Sequence, residues 1–465
     1  MIWFLARKIS YNFANMENQK ILNILNTFFK LKEFRKPQDQ IIKTVLENKK
    51  TLALLPTGYG KSICYQIPGL YLNDYTLVIS PLIALMDDQV LHLKQNNISA
   101  RAIHSLNPFD SKTFANIKDK FIYISPEKLL SKKFNQIIKE NPPALIAIDE
   151  AHCFSLWGHD FRPAYRQLPN FIESLDKSVK LILLTATASQ RVIDDLQQAF
   201  GILKTNTFAG SFLRKNLFIK ITNFSLRHQR FLYLCYLVLK KYTQQNGIIY
   251  CITRKETEVI FQALKKFDFE KQLKIDYFHA GRKPEEKQVV QNKFLSGKIK
   301  LLVTTNAFGM GIDKSDVRFV IHAQLPACLE HYVQEIGRAG RDRKLSFCEL
   351  LIHPSDIVVQ QKLNKNNQAL DVMIEYFATK KCHHQKILSF FGEKTYTNFS
   401  CAACEYCSPS CELIKQKIRQ KIKHNKYINT TVEQQKIIFD YVNQSSNLQH
   451  YLGVGENVLK YMSHE

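Results

Sequence analysis

No run of about 18 consecutive apolar residues occurs in the 465-residue chain, so no segment is fit to cross a membrane as a helix. Acidic residues are few: 41 Asp and Glu stand against 65 Lys and Arg, a net charge of +24. That excess is larger than solubility requires and implies a polyanionic partner, nucleic acid in preference to a membrane surface. A secretory signal is also missing, because the opening MIWFLARKISYNFANM places its apolar residues ahead of Arg7 and Lys8, the reverse of the signal order. Met16 is an alternative start, and residues 1–15 carry no assigned function. The 11 cysteines do not form a disulfide pattern, since most stand singly in apolar contexts, as Cys64, Cys235, Cys251 and Cys348 do. A reducing compartment fits that usage.

What is present is two rounds of the same rhythm. The chain is too long for one core, and 45% of it is hydrophobic. Apolar runs TLALL, TLVIS, FIYIS, ALIAI and LILLTA alternate with helical stretches across residues 52–207. The alternation restarts after Phe212 with GIIYCI, IDYFHA, IKLLVTT and RFVIHA, and no repeat or low-complexity tract intervenes. The pattern predicts an α/β fold of two tandem doubly wound parallel-sheet domains, residues 16–208 and 209–355, hinged around 209–215. A small helical module over 356–411 and a basic tail over 412–465 follow. In the tail, Ile414, Ile418 and Ile422 recur among lysines as on a basic amphipathic helix, with a solvated charged face as the plain alternative. Thr430 and Glu433 read as a capping box.

Strand TLALL runs into PTGYGKS and then ICYQIP, the strand, glycine turn and helix order of a phosphate cradle. Gly58 and Gly60 let backbone N–H groups face phosphates, Lys61 reaches the outer ones, and Ser62 can ligate magnesium. The strict G-x-x-x-x-G-K-S spacing fails, with Leu55 at the first glycine position. Downstream, a buried-type strand ends in Asp149-Glu150, where Asp149 would hold Mg2+ through water and Glu150 would orient or deprotonate an attacking water. Two solvated acids at a strand end remain the bland reading. Arg338 and Arg341 in QEIGRAGRD would share one face of a helix, if one forms, and could reach a transferring phosphate; a surface salt-bridge face is the alternative.

Cys401, Cys404 and Cys407 lie too close in sequence to serve one another as disulfides, and Cys382 is a plausible fourth thiolate for a closed, structural Zn2+ site. His383, His384 and Cys411 compete as ligands.

Taken in order, PTGYGKS, DEAH, TATAS, AFGMGID and QEIGRAGRD resemble the motif series of superfamily 2 helicases. FRKPQ, CYQIP, SPLIALMDDQV, HCFSLWGHDFRP and the late cysteines are similar to the RecQ family over roughly residues 30–410. The resemblance implies RecA-like domains and an ATP-driven DNA helicase moving 3′ to 5′ along one strand in repair or recombination. It places Arg35 and Gln38 near the adenine, Thr57 with Gly58, Gly60, Lys61 and Ser62 on the phosphates, and Asp313 on the ribose, where family members often have asparagine. Thr185, Thr187 and Gln334 would couple nucleotide state to domain movement. Trp157, His159, Phe161 and Arg162 would hold DNA by base stacking and phosphate contact, helped by Ser80 and Ser125 on the backbone. The chain departs from the pattern at Tyr59, where a third glycine is usual and the bulky side chain must point out of the loop, and at Leu31 and Leu156.

The expected partners are single-stranded DNA and single/double-strand junctions, with repair or recombination proteins, no membrane, and a monomeric chain. The expected location is cytoplasmic, or nuclear in a eukaryote. Two other readings stay open. One is a nucleic-acid-stimulated translocase that unwinds weakly or prefers RNA, suggested by the short tail in place of a full winged helix. The other is a non-enzymatic DNA-binding scaffold, which the full set Lys61, Ser62, Asp149, Glu150 and Arg341 argues against.

Overall fold

The structure is a computed structural model that describes residues 18–81, 83–104, 118–155, 162–308, 314–363, 367–395 and 399–408. The chain divides into two compact units after Phe212. Strand β7 (Thr207–Ala209) pairs with β1 (Thr51–Leu54), and Gly210 N–H donates to Leu54 O at 2.8 Å, which ties this segment to the first unit.

In the first unit, β1 and β7 join β2 (Thr76–Ile79), β3 (Ala100–Ile103), β4 (Phe121–Ile124), β5 (Leu145–Ile148) and β6 (Lys180–Thr185) in the order β3-β4-β2-β5-β6-β1-β7. All pairs are parallel. Strands β1, β2, β4 and β5 are buried at every position, as a parallel sheet covered by helices on both faces requires. The order sets β6 between β1 and β5, so the residues following these three strands emerge side by side at the carboxyl edge, where ligands bind such sheets.

The second unit repeats the design. Strands β8 (Leu217–Asn223), β9 (Gly247–Tyr250), β10 (Ile275–Phe278), β11 (Leu301–Thr304), β12 (Phe319–His322) and β13 (Ser346–Ile352) form a parallel sheet in the order β10-β11-β9-β12-β13-β8. Helices Ser355–Leu363, Asn367–Ala378 and His383–Phe390 then lead to the cysteine loop. That loop closes the outer edge of β8: Ile219 N–H donates to Ala403 O at 3.1 Å, and Glu405 N–H donates to Ile219 O at 3.2 Å. An edge strand that would otherwise expose unpaired backbone is thereby covered.

One carboxylate ties this unit together. Asp356 receives Arg230 Nη1 on both oxygens at 2.7 Å, with both side chains 2% exposed, and also accepts from the backbone N–H groups of His353 and Leu325. It thus joins the first helix of the unit to the ends of β12 and β13. Removing one partner of a buried pair strands the other charge, so Asp356→Ala is expected to destabilise the second unit by roughly 3–5 kcal/mol. A urea unfolding midpoint unchanged from the unmodified chain would contradict this.

Candidate nucleotide site and metal centre

Strand β1 ends at Leu54, and the buried Leu55 carries the chain into a turn with Gly58 at φ 79° and Gly60 at φ 91°. The positive φ of Gly60 disfavours larger residues, and a Cβ there would also push on Gln38 Nε2, 2.8 Å away. Arg35 Nη1 donates to Gly58 O at 3.0 Å, while Gln38 Nε2 donates to Tyr59 O at 3.2 Å and Gly60 O at 3.0 Å. In a trans peptide the N–H points opposite to the C=O, so the amides of Gly60 and Lys61 face away from Gln38. The Tyr59 side chain leaves the loop, as its size demands, and its hydroxyl donates to Lys36 O at 2.5 Å. Ser62 opens the helix Ile63–Tyr71 without a side-chain capping bond.

The carboxylates that follow β5 close on this loop. Lys61 Nζ lies 3.2 Å from Glu150 Oε1 and 3.8 Å from Asp149 Oδ1, and all three side chains are largely buried. Glu150 adopts left-handed backbone angles, φ 49° and ψ 46°, an uncommon state for a non-glycine residue that concentrates at functional sites. Asp149 Oδ1 accepts the Glu150 N–H at 2.9 Å, and Tyr165 Oη donates to Asp149 O at 3.0 Å. Burial pushes the Asp149 carboxyl up to about 6, against the pull of the Lys61 cation and with a further push from Glu150.

His152 connects the acids to β6. Its Nδ1 is 3.4 Å from Glu150 Oε2 and 2.9 Å from Thr185 Oγ1, and Thr185 Oγ1 donates to Thr187 O at 3.0 Å. Thr185 and Thr187 are thus brought beside the acids in the first unit, through a histidine to which the sequence reading gave no separate role. The DEAH tetrapeptide was the available signal.

The proposed DNA contacts divide. Trp157, His159, Phe161 and Leu156 lie outside the described residues. Arg162 donates to Pro81 O at 2.7 Å and stands 4.0 Å from Glu127. Ser80 is 2% exposed, its hydroxyl buried without a hydrogen-bond partner, and Ser125 accepts Lys128 N–H as a helix cap.

In the second unit, Asp313 lies outside the described residues. Arg338 and Arg341 do not share a helix face: the helix Leu329–Ile336 stops at Gly337, and Gly340 at φ 56° turns the chain away. Gly340 N–H donates to Val317 O, and its carbonyl accepts from Arg214 and Asn216, which fixes the turn. Arg338 hydrogen-bonds Tyr250, whose phenol burial pushes up against the pull of the Arg338 and Arg341 cations. Arg338 and Gln334 are buried.

Cys382, Cys401, Cys404 and Cys407 bring their sulfurs within 4.8 Å of one another. A tetrahedral zinc with bonds of about 2.3 Å places its sulfurs roughly 3.8 Å apart, close to this spacing. Cys382 caps the helix His383–Phe390, its sulfur accepting Gln385 N–H, and Cys401 Sγ accepts Ala403 N–H. The competing histidines face elsewhere: His383 Nε2 pairs with Glu405 at 3.2 Å and His384 Nε2 with Leu217 O at 3.0 Å. Cys411 lies outside the described residues.

Three family models match in series: DEAD/DEAH box helicase over residues 35–196, the helicase conserved C-terminal domain over 229–343, and RecQ zinc-binding over 348–408. The chain is 39% identical over 406 residues to the ATP-dependent DNA helicase RecQ of Bacillus subtilis, covering 83% of this chain and 66% of that one. It is 35% identical to an ATP-dependent DNA helicase of Pongo abelii, covering 88% and 68%, and 33% identical to a putative ATP-dependent RNA helicase of Acanthamoeba polyphaga mimivirus, covering 95% and 80%. It spans just under two thirds of the length of the bacterial RecQ relatives. Among solved structures, Saccharomyces cerevisiae Dbp5 bound to RNA and ADP BeF3 is similar at TM-score 0.59 and 18% identity, covering 87% of this chain and 97% of that one. The helicase MrfA bound to DNA is similar at TM-score 0.59 and 18% identity, covering 77% and 56%. At such identities these structures establish the fold alone.

Two outcomes are expected. One zinc ion per chain should be found by metal analysis and lost on Cys404→Ser; folded protein without zinc would contradict the assignment. Because a protonated Asp149 cannot hold a divalent cation, magnesium-dependent nucleotide turnover should fall as pH drops through about 6, with the midpoint moving lower as magnesium rises. A rate level between pH 7.5 and 5.5 would contradict that.

Proposed function

The chain belongs to the RecQ family of helicases, and from that premise we propose that it is an ATP-dependent DNA helicase that tracks 3′ to 5′ along one strand and separates duplex ahead of it. The observation that carries the reading is Lys61 held between Asp149 and Glu150 at the mouth of a glycine turn. The lysine offsets the charge of the two acids. With ATP bound it turns to the outer phosphates, whose charge replaces theirs. Ser62 and Asp149 fit a magnesium ion, which when bound offsets charge on those phosphates. Glu150 Oε2, buried and without a hydrogen bond, is then the base that takes a proton from the attacking water.

The family resemblance assigns Arg338 and Arg341 to supplying positive charge for phosphoryl transfer and Asp313 to a ribose hydroxyl. Trp157 and Phe161 stack on bases, and the chain from Glu150 through His152 to Thr185 ties turnover to strand binding. Repair or recombination is the setting this reading implies. Preference for RNA is the second reading, favoured by the mimivirus relative that matches 95% of this chain.

The test uses the full chain, magnesium and partial duplexes with 3′ or 5′ tails of DNA or RNA. Unwinding from the 3′ DNA tail alone, with ATP turnover and unwinding both abolished by Lys61→Ala while DNA binding survives, is the expected result. Turnover stimulated by RNA and not DNA would favour the second reading. Full activity of Lys61→Ala, or no turnover by the unmodified chain with any nucleic acid, would overturn the assignment.

A further inference from the structure

The Tyr59 side chain reaches back from the loop to the segment that holds it. Four hydrogen bonds join Arg35, Lys36 and Gln38 to Gly58, Tyr59 and Gly60. Three of them are given by the Arg35 and Gln38 side chains to loop carbonyls. The fourth runs the other way, from Tyr59 Oη to Lys36 O at 2.5 Å. The tyrosine ring is half-buried and packs against the core formed by Leu55, Cys64 and Tyr65. Gly210 passes beside the ring, where a Cβ would stand 3.5 Å from Tyr59 Cε1, ordinary contact distance. The ring thus packs on the core while its hydroxyl reaches Lys36.

Both N–H groups of the Gln38 amide are engaged, while its oxygen keeps one lone pair. Its oxygen accepts Arg35 N–H at 2.8 Å, and its nitrogen donates to the Tyr59 and Gly60 carbonyls. A base acceptor that takes an N–H of this amide must draw it from a loop carbonyl, so base recognition disturbs the same peptide units that orient the Gly60 and Lys61 amides. During that exchange the Tyr59 bond to Lys36 is the contact among the four that uses neither Gln38 nor Arg35.

We propose that Tyr59 is a positioning residue for base specificity: its hydroxyl keeps segment 35–38 on the phosphate loop while Gln38 changes partners, so that the fit of the base governs how the phosphates are seated. The inference rests on the nucleotide-site reading above. Adenine presents a donor beside an acceptor on its recognition edge and suits an amide. Guanine presents an acceptor in place of that donor, so a Gln38 already set by Arg35 engages it less well. Without the Tyr59 contact the segment moves independently of the loop, and a poor base fit no longer penalises phosphate binding.

The experiment measures kcat and KM for ATP and for GTP with the full chain, magnesium and saturating DNA, in the unmodified protein, Tyr59→Phe, Gln38→Ala and the double variant. Phenylalanine keeps the packed ring and removes only the hydroxyl. The ATP over GTP ratio of kcat/KM should fall roughly threefold to tenfold in Tyr59→Phe, the size of one hydrogen bond, and the change should lie in KM more than in kcat. In the Gln38→Ala background Tyr59→Phe should cause no further fall, because Tyr59 acts through the segment that Gln38 serves. An unchanged ratio in Tyr59→Phe, an equal further fall in the double variant, or an unmodified protein that turns over both nucleotides alike would overturn the proposal while leaving the ATPase reading intact. An unmodified protein that hydrolyses neither nucleotide would sink both.

Discussion

The ammonium of Lys61 between two buried carboxylates is the constraint around which the first unit is arranged. Bringing Asp149 and Glu150 together next to a phosphate loop would be unfavourable without a cation, and Lys61 supplies it from the adjoining turn. Sheet order makes the meeting possible, because β6 alone separates the strands that carry the lysine turn and the acids. The left-handed backbone at Glu150 then turns the chain sharply, and the acids sit at the start of a 3-10 turn whose His152 is anchored on Thr185. On the proposed reading, phosphates and a divalent ion would replace the lysine and the acids as one another's partners.

The second unit solves a different problem, that of a parallel sheet whose last strand lies at an open edge. The cysteine loop covers β8, and Glu405 bonds both the Ile221 N–H and His383, so the thiolate cluster is fastened to the sheet by polar contacts as well as by chain connection. Cys404 is itself bridged to Ile219 in parallel register. The cluster is therefore structural in position: its ligands hold an edge and a helix start, and among the described residues the acids of the nucleotide site belong to the other unit.

Much of this was legible in the sequence because the strands leading to the site are unbroken apolar runs. Strands β8 and β13 were not, since Lys220, Thr222, Ser346 and Glu349 interrupt their pattern. The structure shows why such interruptions are tolerated: Glu349 is bonded by Lys241 at 2.8 Å and Tyr242 at 2.9 Å, with Lys220 at 3.9 Å, and these cations hold its carboxyl below the usual range against the push of burial. Partners from separate segments cannot be read from local alternation. β3 was hidden by Arg101, which pairs with Asp119, and β7 by its length of three residues. Likewise, the helix ends at Ile336 before Arg338, and Gly340 with its positive φ lies between the two arginines, so the three-residue spacing does not put them on one helix face. The loop glycines, Lys61 and the paired acids were readable because their chemistry is local. The bonds from Arg35, Gln38 and Tyr59 that lock the loop were not, because they join segments more than twenty residues apart.

The most direct measurement of the central claim titrates magnesium and a fluorescent ATP analogue into Glu150→Gln and follows turnover in the same preparation. If Lys61, Ser62 and Asp149 hold the nucleotide while Glu150 acts on water, binding should persist and hydrolysis should fall by about 10²–10⁴-fold. Turnover close to that of the unmodified chain, or loss of binding together with turnover, would contradict the division of roles on which the account rests.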